Sequence, residues 1–165
     1  MKRIISAVVQ DRPGVLNRIA SMFRRRGFNI ASLSVGASEQ AGFSRMTIVV
    51  DDVPPTSVDQ VTKQLYNVIE VVKASDITDE EIVSRETALI KVRSTPATRG
   101  QVIEILDLFR GIIEIADVSY GSVIIEMTGA TDQIESLLAL LKPYGILEVM
   151  RTGQIALTRD RRAPD

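Results

Sequence analysis

Apolar positions along the chain repeat with two periods, and the two periods alternate twice over. Residues 4–9 are apolar on both faces, as in a buried strand. From there the spacing changes to Leu16, Ile19, Ala20 and Phe23, the stripe of an amphipathic helix. Asn17, Arg18, Ser21, Arg24 and Arg25 take the opposite face. The arginines gather in the last turn, where they complement the helix dipole, and Gly27 is placed to end the helix. Residues 29–35 alternate, with Ala31, Leu33 and Val35 on one face and Ile30, Ser32 and Ser34 on the other, the pattern of a half-exposed strand. After a turn at 38–42, residues 43–50 return as a strand. Val58, Val61 and Leu65 mark a second helix, and residues 68–72 a short strand. The order is β-α-β-β-α-β, a ferredoxin-like unit.

Residues 75–86 are acidic and poorly periodic, and beyond them the pattern recurs. A strand at 87–94 precedes a helical stripe at Val102, Ile105, Leu106 and Phe109. A hairpin at 112–118 and 122–128 turns around Tyr120-Gly121; a second stripe follows at Ile134, Leu137, Leu138 and Leu141. Residues 146–151 read as a strand, and the ladder resumes at 154–158. VIEVVK (68–73) parallels ILEVMR (146–151), and FRRRG and FRG end the first helix of each half. The expected fold is α+β, two ferredoxin-like βαββαβ domains in tandem: 1–76, a linker at 77–86, and 87–165. A four-stranded sheet with helices on one face leaves its other face and its edges uncovered. Such domains are expected to pair, and the strand carrying Ser32 and Ser34 falls at a sheet edge that can continue into a partner subunit.

Composition narrows the chemistry. Twenty basic against twenty-one acidic residues supply no general field for nucleic acid or an anionic membrane. Apolar runs are too short to span a bilayer, and the six mostly apolar residues after Lys2-Arg3 are too few for a signal peptide, so the chain reads as cytoplasmic. There is no Cys and no His. Thiolate nucleophiles, disulfides, the Ser-His-Asp triad and nearly every zinc or haem site are thereby removed. With aromatics at 4% and no Trp, stacking platforms for single-stranded nucleic acid are scarce.

The handover from the first strand to the first helix is DRPGVL, residues 11–16. Pro13 suits a first helical turn, and Gly14 lets the backbone turn and another group approach. The N–H groups of Gly14, Val15 and Leu16 then face outward at a helix start, a place for a carboxylate or phosphate. Asp11 is positioned either to accept from an ammonium or to cap the helix. Asp-x-Pro-Gly is also a common turn composition. The second half uses STPATRG (94–100) at the matching point, without Pro-Gly or Asp, which favours a ligand in the N-terminal half alone.

DRPGVLNRIASMFRRRGFNI resembles the ACT domain, a βαββαβ module that binds amino acids. RRRGFNIASLSV (24–35), SRMTIVV (44–50), RETALIKV (85–92), FRGIIEIADVS (109–119) and RTGQIALTR (151–159) are similar, in order, to the regulatory small subunits of acetolactate synthase. The resemblance implies a catalytic large subunit carrying thiamine diphosphate, Mg and FAD, with no cofactor and no catalytic residue in this chain. The small subunit of that family raises the activity of the large one and confers feedback inhibition, typically by valine, in branched-chain amino-acid biosynthesis. Two ACT domains pair edge to edge there, the loop after the first strand of one facing the second strand of the other. Carried over, Gly14, Val15 and Leu16 offer N–H groups to the valine carboxylate. Asn29 contributes its amide across the interface with Ile30 beside it, and Gly36 leaves room for a branched side chain. Asp11 stands where relatives often have Asn; it favours the ligand ammonium and opposes a nearby carboxylate.

The alternatives are a stand-alone ACT-type sensor acting on another enzyme or regulator, a nucleic-acid-binding ferredoxin-like fold, and an enzyme working through Asp, Glu or Lys. The basic tail at Arg159, Arg161 and Arg162 is expected to be a frayed end.

Overall fold

A computed structural model describes residues 1–51 and 53–160; Arg161 and Arg162 of the basic tail lie outside the described residues. The chain divides into two compact units, one holding Met1–Ser84 and the segment that begins at Gln154, the other Arg85–Gly153.

The first unit runs β1 (Arg3–Gln10), α1 (Val15–Arg25), β2 (Asn29–Ala37), β3 (Phe43–Asp51), α2 (Val58–Leu65) and β4 (Val71–Asp76). Its sheet is antiparallel in the order β2-β3-β1-β4, so β2 is an edge strand as expected. Ile5, Ala7 and Val9 of β1 and Met46, Ile48 and Val50 of β3 face the helices. The helical stripe is turned by one position from the expected one. Val15, Ile19, Met22 and Phe23 are buried, whereas Leu16 is 47% exposed. The helix starts at Val15, directly after a left-handed Gly14, so Val15 itself opens the i, i+4, i+7, i+8 series.

Three further details differ from the sequence reading. Ile30 lies with Leu33 against the core and not with Ser32 and Ser34, because the β2–β3 register shifts between Ile30 and Ser32. The last strand starts at Val71 and not at residue 68, because turn bonds from Asn67 to Gln64, Val68 to Leu65 and Val71 to Val68 hold residues 67–70 out of the ladder. Residues 77–81, within the expected linker, form a pinned turn: the Asp76 carboxylate accepts from Thr78 N–H at 3.0 Å and from Arg3 Nε at 2.8 Å.

The second unit repeats the plan. From β5 (Ile82–Arg93), whose first residues belong to the first unit, the chain continues through α3 (Arg99–Asp107), β6 (Ile113–Val118), β7 (Ser122–Gly129), α4 (Thr131–Leu141) and β8 (Ile146–Arg151). The order β6-β7-β5-β8 repeats that of the first sheet. Ala88, Ile90 and Val92 pack with Val102, Leu106, Ile134, Leu137 and Leu141. Glu86, 5% exposed, takes Arg151 Nε at 2.7 Å on one oxygen and Arg151 Nη2 at 3.0 Å on the other. That pair ties β5 to β8 and holds the guanidinium pKa above its usual value.

β9 (Ile155–Thr158) pairs with β5, but its residues group with the first unit. Ala156 N–H donates to Thr47 Oγ1 on β3 at 3.3 Å. Residues 154–158 extend the ladder through β5, as expected; they also lie against β3 of the first sheet, on the side away from its helices. Burying Ala156 there shields part of an otherwise open face.

Candidate functional site: the turn between β1 and α1

Residues 11–14 form a turn outside the helix. Asp11 N–H donates to Gly42 O at 2.9 Å, which fixes the end of β1 against the β2–β3 connection. Pro13 precedes the helix and does not occupy its first turn; Gly14, at φ +84°, is the N-cap. The cap has no side-chain hydrogen bond, so Asp11 does not cap α1 and its exposed carboxylate is left for other work. Val15 N–H leans back on Arg12 O at 3.4 Å, so of the three expected donors it is partly engaged. Gly14, Leu16 and also Asn17 N–H have no acceptor among the described residues.

The charge around this turn is set by a residue the sequence pattern assigned only to a solvated helix face. Arg18 stacks beside Gly14, its Nη1 3.5 Å from where a Cβ would stand, and pairs with Glu70 in the turn just before β4. Glu70's own backbone N–H and then Arg18 hold its carboxyl below the usual carboxylate range. Glu70 Oε2 and Gln10 Oε1 are buried without a hydrogen-bond partner among the described residues. Gln10 N–H donates to Glu70 O at 2.9 Å, so both residues lie at the base of the turn. The signal for the pair was weak in sequence, because the two residues are 52 apart.

The seven residues singled out in sequence fall at two ends of the unit. Asp11, Gly14, Val15 and Leu16 form the turn, and Gly36 lies at the same end of the sheet, paired with Arg45 as Val8 is. Asn29 and Ile30 begin β2 beyond the far end of α1. Eleven helical residues span about 16 Å. One chain therefore does not bring Asn29 to its own Gly14.

The second unit has the equivalent turn closed. Arg99 donates from Nε to Ser94 Oγ at 3.1 Å and from Nη2 to Ser119 O at 2.8 Å and Tyr120 O at 3.1 Å. A guanidinium fills the space above that turn and ties it to the β6–β7 connection. Among the described residues no group of acidic side chains is arranged to hold a metal ion, and no helix is long and apolar enough to cross a membrane.

A four-stranded antiparallel sheet in the order β2-β3-β1-β4, with both helices on one face and a Pro-Gly turn before the first, is a ferredoxin-like βαββαβ unit, the fold of ACT domains. A family model described as an AHAS small subunit-like ACT domain matches residues 5–73. A second, described as the small subunit of acetolactate synthase, matches residues 85–160. The chain is 49% identical over 158 residues to the acetolactate synthase small subunit of Mycolicibacterium smegmatis, covering 96% of this chain and 91% of that one. It is also 49% identical over 159 residues to the Bacillus subtilis small subunit, with the same coverage. The crystal structure of the small subunit from Thermotoga maritima superposes with a TM-score of 0.86 at 38% identity, covering 98% of this chain and 99% of that one. The chain belongs to the family of acetolactate synthase small subunits.

Proposed function

We propose that this chain is a non-catalytic, cytoplasmic regulatory subunit of acetolactate synthase. It raises the activity of a thiamine-diphosphate-dependent large subunit, which also carries Mg and FAD, and makes that activity sensitive to L-valine. The observation that carries the reading is the turn at Gly14: a left-handed glycine, unengaged N–H groups on Gly14 and Leu16, and the Arg18 guanidinium beside them. Donors and positive charge at one helix start suit the carboxylate of an amino acid. Asp11, exposed and free of a capping role, is available to the ammonium.

Pairing of two first units along β2 brings Asn29 and Ile30 of one copy toward the turn of the other, with Gly36 leaving room for a branched side chain. The effector then bridges two copies. Regulation follows if the bridged arrangement differs in its affinity for the catalytic subunit's active state, since coupling between sites is a difference of affinities. The small-subunit relatives match across both units, which supports a partner enzyme over the stand-alone sensor.

The test is a calorimetric titration of the full chain with L-valine, with D-valine as control. Saturable heat with the L isomer alone is expected. No heat with either isomer, together with unchanged amide resonances at Gly14 and Leu16, overturns the effector assignment.

A further inference from the structure

The face of the first sheet turned away from α1 and α2 carries an ordered set of polar groups. By strand register, Arg45, Val8 and Lys73 form one row across β3, β1 and β4, and Thr47, Ser6 and Ser75 form the next. Residues directly opposite in an antiparallel ladder share a face, with Cβ atoms about 4.5–5.5 Å apart. Thr47 is engaged by Ala156 of β9. Ser6 and Ser75 face each other with no side-chain hydrogen bond among the described residues. Beside β9 these rows floor a recess of about 350 Å³, rimmed by Leu157 and Thr158. That volume is at the lower end of small-ligand clefts, about 300–1,000 Å³.

The two cations of these rows differ in their partners. Lys73 has no ion pair among the described residues, and Arg45 is held only by the exposed Glu39 at 3.0 Å. The two cations flank Val8 from strands about 10 Å apart, within reach of each other through their long side chains. In the second unit the cation on the central strand, Lys91, has Glu148 opposite it on β8 at 3.7 Å; the residue opposite Lys73 is the neutral Val8. Glu80 is the acidic residue in the lining, and with Glu39 taken by Arg45, Lys73 is the cation in the lining without an ion pair among the described residues.

We propose that this recess is a binding site for a small aliphatic monocarboxylate. The Ser6 and Ser75 hydroxyls donate to the two carboxylate oxygens, and Lys73 and Arg45 supply the charge. Val8, Ile77 and Leu157 receive the aliphatic part. Hydrogen bonds to an ionised acceptor are roughly twice as strong as neutral ones, so two converging hydroxyls with a neighbouring ammonium discriminate carboxylate from neutral solutes. A single negative charge matches the one unpaired ammonium of Lys73, whereas a phosphate dianion exceeds it. Because Leu157 and Thr158 belong to β9, occupancy steadies that strand on the sheet.

The experiment is amide NMR of the full chain titrated with sodium isobutyrate, with inorganic phosphate and sodium chloride at matched ionic strength as controls. Saturable shifts at Ser6, Ser75 and Thr158 with isobutyrate are expected, with at least tenfold weaker binding in Lys73→Gln/Ser75→Ala. The spectrum of that variant reports its fold, and L-valine heat in it should be unchanged, which separates this site from the turn at Gly14. Shifts confined to residues 14–16, equal affinity for isobutyrate and phosphate, or wild-type affinity in the variant would each overturn the proposal.

Discussion

Replacing Gly14 by Ala and, separately, by Asp divides the backbone's contribution from that of charge. Gly14 holds φ +84°, a conformation that costs an L residue roughly 1–2 kcal/mol. Space is not the obstacle, since the new Cβ would meet Arg18 Nη1 at 3.5 Å, an ordinary contact. Gly14→Ala should therefore lower the first unit's stability by about 1–2 kcal/mol, a fall in Tm of roughly 4–16 °C for a domain of this size. Gly14→Asp carries the same strain and adds a carboxylate about 5 Å from the effector's own. At an effective dielectric near 20 the repulsion is about 3 kcal/mol. Arg18 lies within reach of the new carboxylate and offsets about half of it, leaving about 1.5 kcal/mol, or roughly tenfold in affinity. Thermal melts followed by circular dichroism and calorimetric titration with L-valine read the two effects separately. Ala and Asp variants with equal valine affinity would refute the placement of the carboxylate. An unchanged Tm in the Ala variant would refute the strain.

Other consequences can be checked alongside. Glu86→Gln leaves the Arg151 guanidinium short of its buried partner. Arg151 is 29% exposed, so the cost falls below the usual range for a broken buried pair, to about 2–3 kcal/mol by urea unfolding, and Glu86→Met/Arg151→Met should recover most of it. Arg99→Lys cannot reach Ser94, Ser119 and Tyr120 together, and should cost about 1–2 kcal/mol and speed amide exchange at Ser119 and Ser122. Glu70 is held below its ordinary pKa, so its stabilising contribution is full above the unfolded value, about 4.3, and is lost as pH falls through the lower folded value. Acid unfolding of Glu70→Gln should accordingly show a shallower pH dependence below about pH 4.3 than the parent; identical profiles would remove Glu70 from the account.

The order of elements was legible because each strand and helix carries its own period, and because the second half repeats the first. The core residues Ile5, Ile19, Phe23, Ile90 and Leu137 were visible as apolar positions at the right spacing. The finer placements depended on bonds that no local pattern encodes. A one-residue bulge after Ile30 moved that side chain to the core face. Turn bonds after α2 held Val68 and Ile69 out of β4. The four residues of β9 have the alternation of any short strand, and nothing in that pattern encodes the bond from Ala156 to the distant Thr47. At the candidate site the glycine turn was readable from Pro13-Gly14. Arg18 and Arg99 were not, because an arginine on a helix looks the same whether it faces water or reaches a carboxylate or carbonyl far along the chain.

The measurement that bears most directly on the central claim is acetolactate formation by the catalytic subunit, assayed alone, with this chain, and with this chain plus L-valine. A rise in rate is expected when the chain is added, and a fall on addition of L-valine that Gly14→Asp shifts to higher concentration. A rate unaffected by the chain, or inhibition by L-valine that persists unchanged without it, would contradict the account.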